Sequence, residues 1–67
     1  MNKSKNTAVG HYTNAPFGIQ VGERAILEVT TWTGETMTLR TSPVVDTIVQ
    51  SNGKIDVITV NNTWIQD

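Results

Sequence analysis

The sequence predicts an all-β fold: a small five- to six-stranded antiparallel barrel, SH3-like or OB-like, with a flexible N-terminal arm. Threonine is the most abundant residue, and its branched side chain suits a pleated, half-exposed surface better than a helix. Short strand-like runs recur every 8–12 residues or so, and no helical period of useful length is present. A chain of 67 residues is one domain by length.

The first part of the chain is expected to lie outside the barrel. Residues 1–16 are mostly polar, follow neither a strand nor a helix period, and end in Asn14-Ala15-Pro16, where the proline disfavours helix. We predict a flexible arm over 1–16, ordered in part near His11 and Tyr12, and a β-barrel domain over 17–67. The alternative is a segment that folds on contact with a partner. Residues 17–22 alternate apolar with small or polar side chains, and their glycines predict a weak or bent strand.

Residues 24–41 are predicted to form the first strong hairpin. With a three-residue loop, Trp32 pairs with Thr36 and Val29 faces Leu39, so that apolar side chains meet apolar or threonine side chains. A two-residue turn is the alternative, and it would shift the register by one residue.

Residues 44–60 are predicted to form a second hairpin around Asn52-Gly53, the strongest short turn signal in the chain. A three-residue loop with Gly53 in the left-handed region is preferred over a two-residue turn. It pairs Val49 with Ile55, Thr47 with Val57 and Val45 with Thr59. Residues 63–66 are expected to add a short closing strand.

The opposite face of this second hairpin is also apolar, carrying Val44, Ile48, Ile58 and Val60. Two apolar faces exceed the need of a simple two-layer sheet. Either a strand bent around a barrel buries both faces in part, or the outer face meets another subunit. A domain of this size has a marginal core, which favours a homo-oligomer.

Catalytic and metal-binding patterns are missing from the sequence. It has no cysteine, and its one histidine, His11, lies in the predicted arm. No zinc, calcium, dinucleotide or nucleophile motif is present, and Asp46-Thr47 lacks the glycine of an aspartic-protease signature. We therefore expect no enzyme activity and no cofactor. Without a signal-like or membrane-spanning apolar run, we expect a cytoplasmic protein that does not contact membranes.

The remaining hypothesis is a non-enzymatic protein–protein interaction module, by compositional analogy a small accessory protein of bacterial or phage type. Its candidate binding residues are Trp32, Arg40, Trp64, Ile48 and Ile58. The two tryptophans could instead cap the ends of the barrel.

The alternative is a nucleic-acid-binding barrel, with Trp32 and Arg40 as a stacking platform. Arg24, Lys54 and the arm residues Lys3 and Lys5 would supply its positive charge. The formal net charge of −1 and the scattered basic residues disfavour this alternative.

Overall fold

The computed structural model describes residues 8–67, which form five β-strands. The strands are β1 (Ala8–Tyr12), β2 (Arg24–Thr30), β3 (Thr36–Val49), β4 (Ile55–Thr59) and β5 (Asn62–Gln66). Within these residues no helix is long and apolar enough to cross a membrane.

The strands form one sheet, in the order β1-β5-β4-β3-β2, that curls into a half-barrel. Its two edge strands meet where Asn14 bridges to Glu28, with a 2.8 Å bond from the Glu28 N–H to the Asn14 carbonyl. The small all-β barrel architecture is thus confirmed. One pairing differs from the expected antiparallel pattern: β1 runs parallel to β5. The five strands alternate in direction along the chain, so the first and the last run the same way, and here they lie side by side.

A small core fills the concave side of the sheet. Its buried apolar side chains are Tyr12, Ala25, Leu27, Val44 and Val57. The Tyr12 hydroxyl donates a 2.6 Å hydrogen bond to the Ile55 carbonyl across this core. Trp64 packs against the same cluster from β5.

The hairpin formed by β3 and β4 has the predicted loop and register. Val49 pairs with Ile55 and Thr47 with Val57, and Gly53 has a φ of 88° at the last loop position. A bulge between Val44 and Asp46 shifts the pairing beyond that point, so Thr59 faces Val44 rather than Val45. The extra residue turns Val44 into the core, whereas we expected it on the opposite face with Ile48.

The hairpin formed by β2 and β3 has a three-residue loop, but the loop starts one residue earlier than predicted. Gly34 takes the last loop position with a φ of 91°. This left-handed backbone conformation favours glycine, which has no Cβ atom. The loop is therefore Trp32–Gly34, and Val29 pairs with Met37 rather than with Leu39. Because the shift is two residues, each side chain keeps its predicted face.

The N-terminal part differs most from the prediction. Residues 8–12 form β1 and bury Tyr12, so the partial order expected near His11 and Tyr12 is a complete strand of the sheet, and these residues do not belong to a flexible arm. Residues 1–7 of that expected arm lie outside the described residues. The strand expected over residues 17–22 is also wrong. Turns close at Ala15–Gly18 and Gln20–Glu23, and the positive φ angles of Gly18 and Gly22 interrupt an extended chain.

Candidate functional site

The β2–β3 hairpin extends past the point where the barrel closes. The last backbone contact of β2 with the chain after β1 is at Glu28. Beyond it, the concave face of the hairpin has no third strand over it in the described part of the chain. Val29 and Leu39 are half-buried there, and Met37 is 55% exposed. The face that buries Leu27 in the core is therefore open to solvent nearer the loop.

Trp32 stands at the tip of this hairpin with 96% of its side chain exposed. The loop that carries it is well fixed, because the Thr31 N–H donates to the Glu35 carbonyl at 2.8 Å and the Gly34 N–H to the Thr31 carbonyl at 2.9 Å. The Thr31 hydroxyl accepts a further bond from the Glu35 N–H. We call Val29, Trp32, Met37 and Leu39 together the hairpin surface. It combines a large exposed aromatic ring on a structured loop with one exposed and two half-buried aliphatic side chains of the same hairpin.

Arg40, predicted to form a platform with Trp32, lies far from it along the hairpin. It is exposed on the convex face of β3, opposite Ile26. Arg40 lies four positions after Thr36, where β3 begins, which is roughly 13 Å along a strand. The structure therefore does not bring the two proposed members of the stacking platform together.

Ile48 and Ile58 share the convex face of the β3–β4 hairpin, as predicted. Ile48 is paired with Asp56 and Ile58 with Asp46, so acidic side chains alternate with the apolar ones. This face is therefore a mixed surface, and its apolar area is interrupted.

Trp64 lies on the concave face, where it pairs with Val57 on one side and Gly10 on the other. Its ring is half-buried against the core. The ring nitrogen Nε1 is buried with no hydrogen-bond partner in the described residues.

A second group of exposed apolar side chains was not predicted as a site. Phe17 is 79% exposed in the turn after Pro16, and it lines a cleft of about 270 Å³ with Ile19 and Arg24. The flanking Pro16 and Gly18 could have signalled a turn here, but the alternation of residues 17–22 favoured a strand. The lining of this cleft is mostly polar, unlike the hairpin surface.

The described residues contain no cluster of three or more His, Cys, Asp or Glu side chains that could hold a metal ion. His11 Nδ1 lies 2.9 Å from Asp67 Oδ1, and both side chains are more than half exposed. An exposed pair of this kind contributes little to stability. Comparisons of the chain with family models, curated proteins and solved structures give no match.

Proposed function

We propose that this protein is a non-enzymatic interaction module that binds another protein through its hairpin surface. The observation that carries the proposal is Trp32, almost fully exposed on a hydrogen-bonded loop of the hairpin that also exposes Met37 on its concave face. Tryptophan is enriched at the energetic centres of protein interfaces, and a fixed loop lowers the entropy lost on binding. The cytoplasmic location and the homo-oligomeric state expected from the sequence belong to the same proposal.

Charge supports a protein partner over a nucleic acid. The described residues carry six acidic and three basic side chains, the basic ones being Arg24, Arg40 and Lys54. Arg24 lies beside Thr41, Arg40 on the convex face of β3 and Lys54 beyond the β3–β4 loop. Phosphate binding needs several cations on one face, and this arrangement does not supply them.

The test compares Trp32→Ser with Phe17→Ser, which removes an exposed aromatic side chain from a different loop. The purified chain captures proteins from an extract of its native cell, mass spectrometry identifies the retained protein, and that purified protein is titrated calorimetrically. We expect Trp32→Ser to weaken binding at least about tenfold, the effect of losing a hot-spot side chain. We expect Phe17→Ser to bind like the wild type, and both variants to keep the wild-type circular dichroism spectrum.

Two results would contradict the proposal. One is that no protein is retained specifically, or that Trp32→Ser binds its partner as tightly as the wild type does. The other is salt-sensitive quenching of tryptophan fluorescence by single-stranded or duplex nucleic acid at micromolar concentration. That result would favour the nucleic-acid alternative.

A further inference from the structure

The first half of β3 has an edge with no strand of the described residues, 8–67, beside it. In an antiparallel pair, successive residues direct their backbone N–H and carbonyl groups alternately toward the partner strand and away from it. The Thr31 N–H bonds to the Glu35 carbonyl. Two residues further along each strand, the backbone N–H and carbonyl groups of the paired residues Val29 and Met37 therefore also point toward the partner strand. Glu28 confirms the alternation, because its backbone N–H points away from β3 and bonds to the Asn14 carbonyl.

By the same alternation, Thr36, Thr38 and Arg40 direct their backbone groups away from β2. These residues pair only with β2, and none of their backbone groups bonds to any other part of residues 8–67. The edge is occupied again from Pro43, whose carbonyl accepts the Val60 N–H at 3.1 Å. The open edge is therefore Thr36–Arg40. Such an edge is a template for another strand, and proteins commonly cover or block it.

We propose that a second copy of this chain covers the edge, with two β3 strands pairing antiparallel about a two-fold axis at Thr38. The proposal rests on the proposed function in taking the β2–β3 hairpin as the contact element. In this dimer Thr38 lies opposite the partner's Thr38, and Thr36 lies opposite the partner's Arg40. Each of these positions has the N–H and carbonyl that an antiparallel ladder requires.

This register is self-complementary on the concave face. It places Met37 opposite the partner's Leu39, so that a row across the joined sheet reads Val29, Met37, the partner's Leu39 and the partner's Leu27. All four side chains are apolar, and the two-fold axis generates a second, identical row from the other copy. The half-exposed Met37 would thereby gain an apolar neighbour on its open side.

Other registers lose this match. Sliding the partner by two residues in one direction sets Leu39 opposite the partner's Glu35, and sliding it in the other sets Met37 opposite the partner's Thr41. A one-residue slip would bring together residues whose backbone groups point in different directions.

Charge favours the antiparallel direction. The open strand has Glu35 next to its start and Arg40 at its end. Antiparallel pairing brings each Arg40 to the end that carries the partner's Glu35, whereas parallel pairing would set like charges together. A second copy is therefore a partner of the correct shape and charge for this edge.

The test measures the mass of the full chain by sedimentation velocity from low micromolar to near-millimolar concentration. We expect the wild type to reach twice the 7.4 kDa chain mass and Thr38→Pro to remain a monomer. Proline removes the Thr38 N–H, which makes no bond to any other group in residues 8–67. The matched control is Thr30→Pro, which removes an N–H from the outer edge of β2 and should dimerise like the wild type.

A second pair of variants decides the case if a proline variant does not fold. The chain has no cysteine, so Thr38→Cys introduces a single thiol. At a directly opposed position the two Cα atoms lie about 5.5 Å apart, within the range that a disulfide spans. We expect mild oxidation to link Thr38→Cys into a covalent dimer much faster than Thr30→Cys.

A wild type that is monomeric at every concentration overturns the dimer and leaves the partner titration with Trp32→Ser to judge the proposed function. A dimer that survives Thr38→Pro, or that Thr30→Pro disrupts equally, places the contact elsewhere and overturns the proposal. Equal oxidation rates for the two cysteine variants overturn it as well.

Discussion

At the residue scale, the contact between Gly10 and Trp64 explains why β1 fits where it does. A Cβ atom built on Gly10 would lie 2.5 Å from Cζ3 of the indole, well inside van der Waals contact. The missing side chain therefore makes room for the large ring that packs on the core. Gly10 has no positive φ, so here the requirement for glycine comes from space rather than backbone conformation.

Gly10→Ala should lower the free energy of unfolding by about 1–3 kcal/mol, the cost of overpacking a core contact. Urea denaturation measures the change, with Val9→Ala, an exposed neighbour in the same strand, as the control. In a Trp64→Leu background the added methyl should cost clearly less, because the two positions are in contact. An unchanged stability for Gly10→Ala would contradict the described packing of β1 against β5.

At the scale of elements, the sequence predicted the β3–β4 hairpin best because its determinants are local. Asn52 and Gly53 specify the loop, and β-branched residues on both sides specify the strands. The bulge at Val45 was not predictable, since it depends on how β3 bends from one partner strand to the next. For the β2–β3 hairpin, Gly34 indicated the loop length but left its first residue ambiguous.

Long-range contacts account for the larger errors. Ala8–Tyr12 shows no strand period in the sequence, because the strand lies at an edge of the sheet and has a glycine at its centre. Only the positions of Trp64 and Ile55 show why Gly10 and Tyr12 are needed there. Of the candidate binding residues, Trp32 is exposed, which the binding hypothesis requires and the barrel-capping alternative does not. The open edge of β3 depends on tertiary structure, whereas the separation of Trp32 from Arg40 follows from the pairing within the hairpin.

The bond from Tyr12 to Ile55 joins β1 to β4 and predicts a pH dependence. Burial, with a smaller contribution from the negative charge of Asp56, raises the pKa of Tyr12 above its ordinary value of 10.0. The folded chain therefore holds this proton more tightly than the unfolded chain. Its contribution to stability is fully present below about pH 10 and is lost as pH rises through the raised pKa.

Tyr12 is the only tyrosine, so the ultraviolet absorbance of tyrosinate reports its ionisation directly. We expect the folded protein to titrate above pH 10 and urea stability to fall over the same range. Tyr12→Phe should remove this loss, at the cost of about 1 kcal/mol at neutral pH for the hydrogen bond to Ile55. Titration of the folded protein at or below the ordinary pKa would show that the hydroxyl is not held as described.

At the scale of the whole molecule, the barrel is incompletely closed and its core is small. Among residues 8–67 five apolar side chains are buried, while other large ones such as Trp32, Phe17 and Met37 are more than half exposed. The molecule measures 39 × 23 × 23 Å, an elongated shape for a chain of this length. A domain of this size gains stability by covering exposed β surface with a partner, which is the common basis of both proposals.

Amide hydrogen exchange, followed residue by residue by NMR at low and at high protein concentration, tests whether a second copy of the chain covers the open edge of β3. We predict that the amides of Thr36, Thr38 and Arg40 exchange fast in dilute solution and become protected as concentration rises. Thr30, on the outer edge of the same hairpin, should exchange fast at both. Fast exchange of Thr36, Thr38 and Arg40 at every concentration would show that no second copy covers this edge.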